Sequence, residues 1–490
     1  MPKKYSIEVI PTPPRYIPIG KFEIERGADC INCGRCAIVC IYEVHKRQDE
    51  DLRSMAEPVE YRCKGCFSCV QECPQATLTI REGTDYSRLG DSYWTPEIIS
   101  TNWYQAETGK IPVSGAGYRG PFSGEGFDSM WTDMSEIVRP TRDGIHGREY
   151  ISTVVEIGRK LPAIKFDSQG EIVSHIPPTL NVPLPLIFDT LPFGAAKHFD
   201  PTFLKFDENV YKAMAKAASD LGTFMIVNAG DGFKSEGHRG QSSHIIPHIS
   251  DLTSHGFDAD WIKACKMVEL EYEEDVLSVV NEVKKLNQGA IISVRVPFGD
   301  NVEKLVEELT YGGIEVIHLY ADLNGQTFGK SLIKNASQQT FRKSLLIPDM
   351  TQKVHGHLVD LKIRDDVTLI VSGGIAMAEH VAKVIICGAD LTAIDLPLLF
   401  ALECRYCKDC QEDLACPVEL KDVNPEWGAQ RIINLIGAWR NQLIEILGAM
   451  GLREVRRLRG EVGRAIFLED IEKDTFDTVF AREVSYDANG

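Results

Sequence analysis

Fourteen cysteines stand in 490 residues, and twelve of them fall in three tight groups. The first group is Cys30-x2-Cys33-x2-Cys36-x3-Cys40, and the second is Cys63-x2-Cys66-x2-Cys69-x3-Cys73, followed by Pro74. In this spacing three neighbouring thiolates hold one iron–sulfur cluster and the fourth crosses to the next. Two [4Fe–4S] clusters are therefore expected, one on Cys30, Cys33, Cys36 and Cys73, the other on Cys63, Cys66, Cys69 and Cys40. A structural zinc site also takes thiolate pairs, but eight cysteines in two copies of one spacing favour the clusters. The third group, Cys404, Cys407, Cys410 and Cys416 followed by Pro417, reads as a third cluster. Upstream of it lies Val371-Ser372-Gly373-Gly374-Ile375, a strand end, a glycine turn and a helix start. Free backbone N–H groups at such a turn suit an anion, most often a phosphate. The stretch from Val371 to Leu420 thus places a phosphorylated cofactor beside a metal cluster. Cys265 and Cys387 stand alone in apolar surroundings and read as buried thiols.

Composition narrows the setting. A chain of this length should hold two or three folded units. An apolar share of 43% and a charged share of 25% are those of a globular protein. A net charge of −18 argues against nucleic acid, which needs clustered basic charge, and is compatible with a basic redox partner. Metal-type cysteine spacing points to a reducing cytoplasm. Met1-Pro2-Lys3-Lys4 is not followed by an apolar signal region, and no apolar run approaches a membrane span, so direct membrane insertion is not expected.

The elements that must position these groups follow in order. Residues 1–25 carry five prolines and read as an extended arm; 26–82 form the two-cluster ferredoxin unit. Residues 83–178, rich in Gly, Trp, Tyr and Asp, read as a linker wrapping the next domain. Within it Gly115-x-Gly117-x-x-Gly120 lacks the strand and helix that a dinucleotide site requires. The densely charged run from Arg139 to Glu149 is either a solvated loop or a clamp over a cofactor. From about residue 180, apolar runs at Leu186–Asp189, Phe224–Asn228, Met267–Leu270, Ile291–Val296, Val316–Tyr320, Leu345–Ile347, Thr368–Val371 and Leu391–Ile394 alternate with helical periodicity such as Val210–Leu221 and Glu273–Leu286. About eight such alternations predict a (β/α)8 TIM barrel over 179–420; a doubly wound sheet would usually show fewer. The expected fold class is α/β, with an amino-terminal bacterial ferredoxin-like unit and a helical carboxyl-terminal extension over 421–490. Strand ends carrying Asn228, Glu269, Arg295, Asp322 and the Ser372-Gly373-Gly374 turn would form the barrel mouth. His238, His244, His248 and His255 fit no single zinc motif and read as loop and core residues. The basic segment Arg453, Arg456, Arg457, Arg459 and Arg464 reads as a charged helix face pairing with acidic surface.

With these pieces in place, the chain resembles the FMN-binding synthase domain of glutamate synthase, and more closely the archaeal-type form with an amino-terminal two-cluster ferredoxin domain. The most specific pieces are Arg139–Tyr150, Ser372-Gly373-Gly374 and the Cys404–Val418 loop. The resemblance implies an oxidoreductase with FMN in a (β/α)8 barrel, reductively aminating 2-oxoglutarate to glutamate. It implies that Gly373 and Gly374 hold the FMN phosphate beside Ser372, helped by backbone near Ala393, with Asn228, Arg295 and Lys266 near the flavin ring. The alternative for Arg295 is an ion pair with Asp322 or Glu269. In the family three cysteines hold a [3Fe–4S] cluster, matched here by Cys404, Cys410 and Cys416. Cys407 is additional, so the third cluster is either [3Fe–4S] on those three thiolates or [4Fe–4S] with Cys407 as the fourth. Asp395 stands where related barrels favour small or basic residues. Met267–Tyr272 and Tyr320–Gly325 depart from the family's substrate-pocket loops, which favours an alternative: an electron-transfer flavoprotein subunit of a larger complex, beside heterodisulfide-reductase-like or hydrogenase-like partners. The family's glutaminase nucleophile is an amino-terminal cysteine, whereas Pro2 follows Met1 here. Ammonia, or a separate glutaminase or reductase subunit, is expected, together with ferredoxin or another redox protein in a hetero-oligomer.

Overall fold

The computed structural model describes residues 5–111, 127, 130–132, 151–160, 164–174, 176–191, 208–228, 242–250, 259–327, 346–412 and 414–467. The Gly115–Gly120 and Arg139–Tyr150 stretches, His238 and His255 lie outside them.

The amino-terminal unit is closed by two antiparallel strands, β1 (Phe22–Arg26) and β2 (Leu78–Glu82), with Ile24 opposite Ile80. Between them α1 (Arg35–Val39) and α2 (Ser68–Gln71) each begin just after the second cysteine of a group. Ile24, Val44, Met55 and Leu78 pack with Cys36 and Cys69 into a small core. The unit therefore starts at Phe22, four residues inside the stretch expected to be an arm. Phe-Glu-Ile-Glu-Arg alternates with the period of a strand, a signal overshadowed by the prolines before it. The preceding residues do run without regular structure, and they are docked: Ile10 N–H donates to Asn434 Oδ1, and Asn434 Nδ2 donates back to the Ile10 carbonyl.

Residues 83–178 are not an aperiodic linker throughout. They contain α3 (Pro96–Thr108), 13 residues long. Thr95 caps it by accepting from Ile98 N–H, Pro96 occupies the first turn, and Gly109 at φ 65 ends it. Its aromatic and amide residues hide the helical period because Asn102, Trp103 and Gln105 are buried along with Ile98, Ile99 and Ala106. Short strands β3 (Met130–Thr132), β4 (Val155–Ile157) and β5 (Leu180–Val182) follow, β4 and β5 pairing antiparallel.

Eight parallel strands then close a barrel: β6 (Leu186–Phe188), β7 (Met225–Asn228), β8 (Ile245–Ile249), β9 (Met267–Glu271), β10 (Ile291–Pro297), β11 (Val316–Tyr320), β12 (Thr368–Ser372) and β13 (Leu391–Ile394), with β13 returning to β6. Helices α4 (Glu208–Leu221), α5 (Ala259–Ala264), α6 (Val276–Leu286), α7 (Val302–Tyr311), α8 (Ile347–Asp360) and α9 (Ala378–Ile386) alternate with them. The (β/α)8 expectation holds, with one exchange among its strands. Ile245–Ile249 is a strand that proline and histidine disguised. Leu345–Ile347 is not: Leu346 makes a single bridge to Gln326, and Ile347 opens α8 with Pro348 in its first turn.

After α10 (Leu396–Ala401), the carboxyl-terminal extension is one 25-residue helix, α11 (Pro425–Ala449), capped by Asn424 and packed on α3 and α4. No second long helix follows within the described residues; single turns at Val455–Leu458 and Val462–Arg464 lead to β14 (Ala465–Phe467), which pairs with β3. The basic segment does pair with acidic groups, but from these turns: Arg459 reaches Asp365 and Asp390, and Arg456 reaches Glu454. Cys265 and Cys387 are buried as expected. Among the described residues no helix is long and apolar enough to cross a membrane.

Candidate functional site

The turn after β12 is shaped by its two glycines. Gly373 has φ 103 and Gly374 has φ 65, backbone that side chains strongly disfavour. A Cβ on Gly373 would come within 2.6 Å of the Asp322 carbonyl oxygen, and one on Gly374 within 2.6 Å of Tyr93 Oη and 2.7 Å of Gly325 N. Residues from the α3 region brace the turn from outside. Tyr93 Oη donates to the Gly374 carbonyl at 2.5 Å, Asn102 Nδ2 donates to the Ala376 carbonyl at 3.3 Å, and Trp94 Nε1 donates to the Leu323 carbonyl at 3.0 Å. Strand register puts Ala393 beside Ser372. Asn228 ends β7, buried, and its Oδ1 finds no hydrogen-bond donor among the described residues. A cradle with no room for Cβ atoms and an unsatisfied buried carbonyl at the same end of the barrel fit a phosphorylated ring cofactor.

Lys266 needs correction: it is exposed and precedes β9, so it lies at the opposite end of the barrel from the glycine turn. Met267–Glu271 forms the strand expected at Met267–Leu270. The Ser372 hydroxyl is engaged inside the barrel with His318 Nε2 at 2.9 Å, leaving backbone as what Ser372 can offer a cofactor. Asp395 caps α10, accepting from Leu396 N–H, and so turns away from phosphate duty.

Arg295 is the centre of a buried charge network. Its guanidinium grips Asp189 at 2.5 and 3.1 Å and reaches Glu269 at 3.4 Å. The partner is thus Asp189 together with Glu269; Asp322 is occupied in its own loop, accepting from Asn324 and Gln326 N–H. Strand register sets Glu271, Arg295 and His318 side by side. Glu269 Oε2 lies 2.8 Å from His318 Nδ1, and Glu269 Oε1 lies 3.2 Å from His248 Nδ1. Tyr320 Oη donates to Glu271 at 3.0 Å, and the Arg295 guanidinium lies 4.8 Å over the Tyr320 ring. Burial opposes ionisation of Asp189, but the Arg295 charge, then that of His318, outweighs it and holds the carboxyl below its ordinary range. For Glu269 burial is likewise outweighed, by His318 first and then by the His248 and His318 hydrogen bonds, and its carboxyl is held well down. Asp189, His248, His318 and Tyr320 were not singled out in the sequence as site residues. Their signal, polar side chains inside otherwise apolar strands, becomes readable once strand register is known.

Asp395 behaves in the opposite sense. Burial, then the Asp189 charge, pushes it up to about 7 from an ordinary 3.8. A raised folded-state value contributes stability that is present at low pH and lost as pH rises through about 7. Asp395→Asn keeps the oxygen that caps α10 and cannot ionise. The variant should therefore gain on the parent as pH is raised from about 4 to about 7, levelling above that. Urea titrations across this range would show a flat difference if Asp395 were ordinary.

The thiols are grouped as follows. Cys40, Cys63, Cys66 and Cys69 line one hollow with Lys64, Phe67 and Ile80, so Cys40 does cross to the second set. Cys36 sits among the charges of Cys33 and Cys30, although burial is the larger influence pushing its thiol up. Cys73 Sγ lies 3.6 Å from Thr77 Oγ1. Cys404, Cys407, Cys410 and Cys416 line a second hollow with Tyr406 and Leu420. Each hollow is thus lined by four thiols, a donor set of the kind that holds iron–sulfur clusters.

Helix α3 joins these places. Trp103 Nε1 donates to the Cys404 carbonyl at 3.1 Å, on the same helix whose Asn102 holds the glycine turn. Its carboxyl end holds the amino-terminal unit: Tyr61 Oη donates to Glu107 at 3.2 Å, Arg62 pairs with Glu107 at 3.4 Å, and the Lys64 ammonium lies 5.5 Å over the Tyr104 ring. All three contacts come from the segment around Cys63.

Fold and site together define the class: a (β/α)8 barrel with an anion turn at its mouth and a four-cysteine loop braced against the same helix. Residues 227–453 match the family model described as the conserved region in glutamate synthase. An archaeal-type glutamate synthase (NADPH) of Dehalococcoides mccartyi is 24% identical, over 90% of this chain and 94% of its own. The archaeal glutamate synthase (NADPH) of Archaeoglobus fulgidus is 26% identical, over 92% of this chain and 95% of its own. Among solved structures, a mandelate oxidase mutant with a monooxide FMN adduct aligns with 67% of this chain and 91% of its own, at 12% identity and a TM-score of 0.39.

Proposed function

We propose that this chain is an iron–sulfur and FMN-dependent oxidoreductase of the glutamate synthase type. The observation that carries the reading is that α3 and the residues just before it brace both the glycine turn, through Tyr93 and Asn102, and the cysteine loop, through Trp103. A shared brace keeps a phosphate cradle and a thiol set in fixed register. FMN, when bound, exchanges one electron at a time with iron–sulfur groups and two with an organic substrate. Backbone at Gly373 and Gly374 would hold its phosphate, with Ala393 alongside, and Asn228 Oδ1 would accept from the ring. Arg295, fixed by Asp189 and Glu269, places a positive charge in the barrel, and a cation near a flavin stabilises the reduced ring. The cysteine sets would hold three clusters, fed by ferredoxin or an associated electron-transfer subunit.

The reaction implied by the resemblance is reductive amination of 2-oxoglutarate. A second reading, an electron-transfer subunit of a larger redox complex, is favoured by the barrel lining. Asp189, Glu269, Glu271 and Asp395 gather there, and the Arg295 charge is already matched by two carboxylates. A dicarboxylate substrate gains little from such a surface. The test is an anaerobic assay of the flavin-loaded chain with reduced ferredoxin, 2-oxoglutarate and ammonia. Glutamate formation supports the synthase. Its absence, with redox proteins co-purifying in fixed ratio, supports the subunit. A preparation with neither flavin nor iron removes both.

A further inference from the structure

The three cysteine loops share one backbone plan. In the first, Cys30 is followed by Asn32 at φ 51 and, after Cys33, Gly34 at φ 79. In the second, Cys63 is followed by Gly65 at φ 65 and, after Cys66, Phe67 at φ 58. In the third, Cys404 is followed by Tyr406 at φ 51 and, after Cys407, Lys408 at φ 64. Each loop thus turns left-handed on either side of its second cysteine. Each also directs the N–H two residues on toward the first sulfur: Asn32 N to Cys30 Sγ at 3.4 Å, Gly65 N to Cys63 Sγ at 3.5 Å, and Tyr406 N to Cys404 Sγ at 3.4 Å. In all three the second thiol, Cys33, Cys66 or Cys407, is the exposed one.

Left-handed backbone at two non-glycine positions on either side of one residue is rare and persists where surroundings impose it. The third loop shows those surroundings. Tyr406 is buried edge-on to Phe400, and Lys408 pairs with Asp91 at 3.1 Å and lies 4.7 Å over the Tyr406 ring. The conformation therefore comes from the built structure and does not depend on glycine. Its effect is to bring Cys407 onto the wall of the hollow that Cys404, Cys410 and Cys416 also line.

We propose that Cys407 is a cluster ligand, and that the loop from Cys404 to Cys416 binds a four-iron cluster through four thiolates, on the backbone plan of the two amino-terminal sets. This rests on the reading above that the thiol sets bind iron. It departs from the three-cysteine pattern of the family in a defined way. A fourth thiolate adds negative charge and closes the corner that a three-iron cluster leaves open, lowering the potential of the group.

The test compares the full-length chain, prepared anaerobically, with Cys407→Ala and Cys416→Ala by iron and sulfide content and by EPR of the oxidised state. A four-iron cluster is silent there, whereas a three-iron cluster gives a signal. The parent should lack a three-iron signal, and Cys407→Ala should lose about one iron and acquire it. A parent that already shows the signal, unchanged in Cys407→Ala, overturns the proposal. Iron content unchanged in Cys416→Ala as well removes the underlying reading of the loop. A second measurement needs no variant: alkylation of the native parent, read by mass spectrometry. Cys407 should be protected until a chelator strips the iron, and prompt alkylation with full iron retained refutes ligation.

Discussion

Replacing Arg295 with methionine should destabilise the chain by about 3–5 kcal/mol at neutral pH, the usual consequence of removing one partner of a buried ion pair. The size follows from what remains. Asp189 and Glu269 have side-chain exposures of 4% and 0%, and without the guanidinium Asp189 loses its main buried counter-charge and Glu269 keeps only His318 and His248. Acid should relieve the variant. In the parent both carboxyls are held below their ordinary range, so their contribution is present above the ordinary carboxylate range and is lost as pH falls through the depressed values. In the variant Asp189 loses the main cause of its depression, while Glu269 keeps His318 and His248; Asp189 therefore protonates sooner, and the gap to the parent should narrow as pH falls. Arg295→Lys, which keeps the charge and loses the two-pronged grip on Asp189, should fall between the two. Denaturant titrations at neutral and mildly acidic pH measure all three chains. Equal stability of parent and methionine variant at neutral pH would mean the network is not charged as described.

Gly374→Ala should weaken FMN retention by at least about tenfold, equivalent to about 1.4 kcal/mol. The left-handed φ alone costs a side chain roughly 1–2 kcal/mol, and the new methyl group would meet Tyr93 Oη and Gly325 N. The turn must then shift, and its N–H groups lose their aim. Tyr93→Phe removes one obstacle and also the bond to the Gly374 carbonyl, worth about 1 kcal/mol by itself. In a Tyr93→Phe, Gly374→Ala double variant the two losses should sum to less than their separate values. Flavin content after gel filtration reads the series. Full retention in Gly374→Ala would place the phosphate elsewhere.

What could be read from the residues and what could not divides along range. The cysteine sets were legible because each is local: ligand spacing within seven to thirteen residues is written in the chain. The barrel was legible from repetition, since seven of its strands are plain apolar runs. Ile245–Ile249 escaped because Pro247 and His248 interrupt the pattern, although both are buried in place. Lys266 was assigned to the wrong end of the barrel because a strand's start and its end look alike until the strand has a direction in space. The pairing of Arg295 with Asp189 joins β10 to the end of β6 across the barrel, and no periodicity reports such a contact. Helix α3 was hidden for a different reason: its buried face mixes Ile98, Ile99 and Ala106 with Asn102 and Trp103, which donate to carbonyls of other segments, and Gln105, which accepts from Trp439 Nε1.

That helix also has a mechanical consequence. The amino-terminal unit is tied to it at both ends, by Lys21 to Glu97 near its start and by Tyr61 and Arg62 to Glu107 near its finish, while the barrel grips the middle through Asn102 and Trp103. A body pinned at two points along a rigid rod has no hinge to swing on. On the function proposed above, the unit would be a fixed terminal and an external electron carrier would do the travelling. Its encounter rate, and the ionic strength on which that depends, would then set the pace of delivery.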